Sequence, residues 1–189
     1  MKIRYNSPTV LTFAFVSAAV LIFSQTVAWS LTVEWFMVPG RGSFSPLSFR
    51  NWVTLFTHVL GHANWPHLFS NFAFILLIGP ILEEIYGSIS LFIMIGITAL
   101  ITGALNVIFF PSGLLGASGV VFMMILLASF TNFNKGEIPL TFILVLILYL
   151  GRELFNAFGN NSESNVSQFA HIVGGFIGSL FGFFRIKRI

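Results

Sequence analysis

In the stretch L-L-G-A-S-G-V-V-F, Leu114 to Phe122, a serine sits among small residues at the head of a long apolar run. A hydroxyl placed there is a candidate nucleophile if a base can reach it. The candidate base is His171 in A-H-I-V-G-G-F-I-G, where His171, Gly174 and Gly178 recur at intervals of three and four and share one helix face. Gly116, Ala117 and Gly119 form a matching thin patch around Ser118, so the two side chains can meet at hydrogen-bond distance. All six acidic residues are Glu, at 34, 83, 84, 137, 153 and 163, and Asp is absent, which excludes a Ser-His-Asp triad. The chemistry this pair could perform is amide hydrolysis, with His171 oriented by packing instead of by a carboxylate. Two plainer readings stand beside it. Ser118 could be a small interface residue bonded back to its own helix, and His171 a structural histidine or a proton relay. His58 and His62 are one helical turn apart, but H-E-x-x-H is absent, so neither a metal nor another cofactor is expected. Both histidines are expected to brace the chain through backbone hydrogen bonds.

The elements that must position these groups are membrane helices. Of 189 residues, 56% are hydrophobic and 8% charged, with 24 Phe, no Cys and a mean hydropathy of +0.92. Six runs are long enough to cross a bilayer: Val10 to Trp29, His67 to Tyr86, Ile89 to Phe110, Leu115 to Phe133, Ile138 to Phe155 and Val166 to Phe184. Residues 30–66 are too polar and too broken by Pro39, Gly40, Gly42 and Pro46 to span. Their Trp35, Phe36, Phe49, Trp52, Leu55 and Phe56 predict short helices lying in the interface. No export signal precedes the first run, so the N-terminus is read as part of the mature fold. With both termini cytoplasmic, Lys2, Arg4, Lys135, Arg185, Lys187 and Arg188 lie inside, against Arg41, Arg50 and Arg152 outside. The cations are scattered instead of gathered in a stripe, which argues against nucleic acid as a partner. Even-numbered spans then all run inward, and His67, Asn71, Ser118 and His171 fall at one level near the outer face. Ser118 is expected about 5 to 8 Å below the start of its helix.

At this level four motifs resemble the rhomboid family of intramembrane serine proteases. Gly116-Ala117-Ser118-Gly119 is similar to its G-x-S-G nucleophile motif, and Ala170-His171 with Gly174 and Gly178 to its A-H-x-x-G-x-x-x-G motif. His67 with Asn71 resembles H-x-x-x-N, and Gly79, Glu83 and Gly87 resemble G-x-x-x-E-x-x-x-G. They occur in family order over residues from about 50 to 189. The resemblance implies an all-α, six-helix bundle forming one membrane domain over residues 1–189, with the 30–66 insertion between helices 1 and 2. It implies Ser118 as nucleophile, His171 as base, the Ser118 N–H with His67 and Asn71 as oxyanion donors, and Glu83 as a partner for a loop or helix end. Substrates would be transmembrane helices of other proteins, met in the lipid bilayer and cut at a site opening to the extracytoplasmic side.

Two departures matter. The family's insertion often carries Trp-Arg, where this chain reads Asn51-Trp52-Val53-Thr54, so the insertion is expected to be braced differently. A Tyr often follows the nucleophile by four residues and stacks on the histidine; here Phe122 can stack but not hydrogen-bond. Two other classes stay open: a catalytically silent rhomboid-like binding or routing factor, and a small transporter. The transporter would need polar groups continuing across the midplane, and Asn106 in the third span is the one exception noted there.

Overall fold

A computed structural model describes residues 4–28, 30–130 and 165–184, with side chains of the last segment from 169 onward, and the helical positions Leu140, Ile143, Leu144, Ile147 and Leu148. The rest of the fifth expected span, Ile138 to Phe155, lies outside the described residues. Seven α-helices are described: α1 Pro8–Thr26, α2 Ser30–Trp35, α3 Phe49–Thr57, α4 Trp65–Tyr86, α5 Ser88–Phe109, α6 Ser118–Ser129 and α7 Asn165–Phe184. A 3-10 turn, His58–Leu60, follows α3. Among the described residues there is no strand, only an isolated antiparallel bridge between Val38 and Leu114. The described fold is all-helical, and α1, α4 and α5 are each long and apolar enough to cross a membrane.

The bundle is packed as a bilayer demands. Phe15, Leu77, Phe92, Phe109, Phe176 and Phe183 point outward, while Ser17, Ser24, Thr98, Thr102 and Asn106 are buried inside it. Lipid gives apolar side chains no reason to hide, so close backbone packing holds the helices together. The tightest case is α7 on α6. A Cβ at Gly174 would stand 2.0 Å from the Gly119 carbonyl oxygen, and one at Gly178 would stand 2.2 Å from that of Met123. The four-residue spacing of these glycines lays the α7 backbone directly on α6.

Asn64 starts α4 by accepting from the His67 N–H at 2.9 Å, with Pro66 in the first turn, where a missing N–H costs nothing. Gly87, at φ +87°, ends it and opens α5, a conformation that costs a residue with a Cβ far more. One turn earlier, the buried Glu83 accepts from the N–H groups of Thr9 at 2.9 Å and Val10 at 3.0 Å, satisfying the orphan donors at the start of α1. Gly79, another turn back, lets Val10 approach: its Cβ would lie 2.8 Å from the Val10 methyl. Gly79 and Glu83, one turn apart, therefore fasten α1 to α4. Glu83→Ala strands two backbone donors inside the bundle and should cost roughly 2 to 4 kcal/mol, with Glu83→Gln intermediate. Thermal unfolding in detergent checks this, and an Ala variant melting with the wild type would refute it.

The segment between α1 and α4 is braced without a Trp-Arg dipeptide. Arg50 bonds Glu34 at 3.2 Å and lies 5.1 Å from the centre of the Trp35 ring, the Trp52 indole donates to the Pro46 carbonyl at 2.9 Å, and the Thr57 hydroxyl donates to the Trp35 carbonyl. Phe49, Trp52 and Phe56, on one side of α3, are exposed.

Candidate active site

Three segments converge on residues 116–119. The first is the loop before α6, pinned by the chain that follows α2 and by α5. Val38 and Leu114 exchange backbone bonds at 2.9 and 3.0 Å, Arg41 N–H donates to the Phe110 carbonyl at 2.6 Å, and Asn106 Nδ2 donates to the Ser112 carbonyl at 3.1 Å. Gly116 then turns the chain at φ +116°, with its N–H on the His58 carbonyl at 2.9 Å. That turn delays the helix. α6 begins at Ser118 itself, with Ala117 as N-cap, and not at Leu115. The expected depth of 5 to 8 Å below a helix start is therefore wrong: Ser118 is the first residue of α6, and a positive-φ glycine two residues before it cannot continue a right-handed helix. At 12 residues, α6 is about 18 Å long, shorter than a hydrocarbon core.

α4 brings the second segment. A Cβ at Gly116 would fall 2.7 Å from both Cε1 and Nε2 of His67 and 3.9 Å from Nδ2 of Asn71, so both side chains lie over this turn. Asn71 Nδ2 donates one hydrogen to the His67 carbonyl at 3.1 Å and keeps a second to offer. The third is α7. Gly119 faces the Ala170 carbonyl, 3.3 Å from its Cβ position, and one residue on, the His171 imidazole stacks on the Phe122 ring with centroids 4.1 Å apart and planes within 9°. Ser118, half-buried, thus heads α6 between the Gly116 turn that His67 and Asn71 overlie and the Gly119 contact with α7. Glu83 is not part of this group, being 16 residues, about 24 Å, further along α4.

His58 behaves differently from expectation. Its ring is buried and meets the Thr102 hydroxyl through Nε2 at 3.4 Å; the backbone brace comes from its carbonyl, which holds Gly116. His62 does bond to the backbone, Nδ1 to the Leu60 carbonyl at 3.3 Å, and meets the His67 ring edge-on at 5.0 Å. Burial lowers His58 to about 3; burial, then the neighbouring His67, lowers His62 to about 4. Unfolded imidazoles titrate near 6.5. The unfolded chain therefore binds protons first on acidification, and stability that is intact above pH 6.5 is lost as pH falls toward 4. Each ring should cost about 1.4 kcal/mol per pH unit in that window. Unfolding midpoints between about pH 7 and 4.5 test this: His58→Gln should flatten the slope, and a pH-independent wild type would exclude it.

Thr102 was not foreseen. Its methyl lies 3.2 Å from the Gly119 Cβ position, placing it behind the first turn of α6. The signal was available, since Thr98, Thr102 and Asn106 recur at four residues on a mostly apolar helix. Thr98 and Thr102 donate to the Met94 and Thr98 carbonyls of their own helix at 2.8 and 2.7 Å. Among the described residues no cluster of His, Cys, Asp or Glu could hold a metal ion.

Several apolar helices, with a serine-bearing helix start and a histidine-bearing helix packed on it through glycine, define a multi-pass membrane protein with a polar cluster at the head of α6. The family model described as the rhomboid domain matches residues 50–188, and the chain belongs to the rhomboid family. It is 28% identical over 185 residues to the rhomboid protease GluP of Bacillus subtilis (strain 168), an overlap covering 93% of this chain and 34% of that protein. The chain thus spans about a third of the length of that curated relative.

Proposed function

We propose that this chain is an intramembrane serine endopeptidase that cuts transmembrane segments of membrane proteins with a Ser118–His171 dyad. The supporting observation is the face-to-face stack of His171 on Phe122, which fixes an imidazole beside the serine-bearing turn in a chain that has no aspartate. Ser118 Oγ attacks the scissile carbonyl carbon while His171 takes its proton. The resulting oxyanion is held by the Ser118 N–H, the His67 imidazole and the free hydrogen of Asn71. Collapse expels the amine, protonated by His171, and leaves an acyl ester on Ser118. Water, deprotonated by the same imidazole, then hydrolyses the ester. Gly116, Gly119, Gly174 and Gly178 support the site by allowing the close approach, and Phe122 by holding the ring. Substrates enter from the bilayer as single transmembrane helices whose upper turn unwinds, because an intact helix hides its carbonyls.

The same reading takes the chain as one domain with six spans, the 30–66 segment in the outer interface, both termini cytoplasmic and the site opening outward. A reporter fused to the C-terminus should be active only on the cytoplasmic side; activity confined to the outside would reverse the orientation. The enzymatic reading is tested by incubating purified wild type and Ser118→Ala in detergent with a single-span protein. Cleavage by the wild type alone supports it, and equal cleavage by both defeats it.

A further inference from the structure

A cavity of about 530 Å³ lies between α1 and α5, beneath the end of α3. Phe13 and Val16 form one wall, Ile95 and Gly96 the other, and Phe56 and Leu60 the roof. From Pro8, at the open end, to Val16 the groove follows α1 for about 12 Å, close to one leaflet of a roughly 30 Å hydrocarbon core. Nothing lies within 4 Å of where a Cβ on Gly96 would point. The groove runs into the lipid-facing surface, since Val16 is 40% and Phe92 67% exposed. Polar groups gather at its open end, where the Tyr5 hydroxyl bonds that of Thr12 at 2.9 Å and Thr9 donates to the Ser88 carbonyl at 2.8 Å.

We propose that this groove is a binding site for one phospholipid, whose acyl chain lies between α1 and α5 with its tip under Phe56 and Leu60. The lining argues for a lipid tail: Phe13, Val16, Phe56, Leu60, Phe92 and Ile95 present hydrocarbon along most of the groove, which opens on the lipid-facing surface. Depth selects hydrocarbon, because a cleft between two spanning helices meets lipid tails before anything else. The hydroxyls at the open end stand where the chain joins its glycerol. The bound lipid also touches both spanning helices and the α3 end, so it acts as a filler tying that segment to the bundle. The inference rests on the membrane placement of α1 and α5 and not on Ser118.

Native mass spectrometry of the whole chain in detergent, titrated with dioleoyl phosphatidylglycerol, tests it. The wild type should retain one lipid per chain. Gly96→Phe, whose ring would occupy the open space, should weaken retention about tenfold or more, while Leu77→Phe, on the exposed side of α4, should retain it normally. Retention by Gly96→Phe equal to wild type, or a matching loss in Leu77→Phe, overturns the proposal. If Gly96→Phe does not fold, Val16→Phe narrows the mouth from the opposite wall, and the same two outcomes decide.

Discussion

Ser118→Ala should lower cleavage of a single-span substrate by about a million-fold, to background, while the bundle melts as the wild type does. The size follows from the role. Without an attacking oxygen there is no acyl intermediate, and the proposed donors around Gly116 have no oxyanion to stabilise. Removing one donor is milder. Asn71→Ala leaves the nucleophile and two donors and should cost about 10²- to 10³-fold in turnover. Folding should survive Ser118→Ala because α7 rests on the Gly119 and Met123 backbone, and alanine keeps the helix start. Turnover with a fluorogenic transmembrane peptide, beside thermal unfolding of the same samples, separates the two effects. Residual cleavage at a thousandth of wild type or more would move the nucleophile elsewhere.

Local chemistry was legible in the sequence wherever one residue type at one spacing carried the constraint. The glycines at 174 and 178 announced a thin helix face, and the structure lays that face on the backbone of α6. Glu83 was legible as a partner for a helix end, though not which one: the start of α1 lies more than seventy residues away, and no local pattern encodes that pairing. The start of α6 misled for a physical reason. Leu114 and Leu115 have apolar side chains suited to a helix, but Leu114 is engaged by Val38 and Gly116 adopts a positive φ, so tertiary hydrogen bonds override local preference. The same long-range pairing hid His58, whose carbonyl, a group every residue has, is what holds Gly116. Side-chain identity cannot advertise a backbone contact.

Phe122→Ala should be the most damaging change that leaves every polar group of the site in place. The ring stacks flat on His171 at 4.1 Å, one turn below Ser118 on α6. Under the proposed mechanism, in a chain without aspartate, that contact takes the orienting role of a third triad member, whose loss alone can cost about 10⁴-fold in turnover. A freed imidazole would sample orientations that cannot accept the serine proton, so turnover should fall by about 10²-fold or more. The apolar loss should cost the bundle only about 3 to 5 kcal/mol. Phe122→Tyr separates packing from polarity: it keeps the ring and should hold or raise activity, whereas Phe122→Leu keeps bulk without a flat face and should track the alanine variant. Turnover and melting are compared in matched, folded preparations. Were Phe122→Ala to cleave at the wild-type rate, the stack would be incidental, and the orientation of His171 would fall to the glycine contacts that seat α7 on α6.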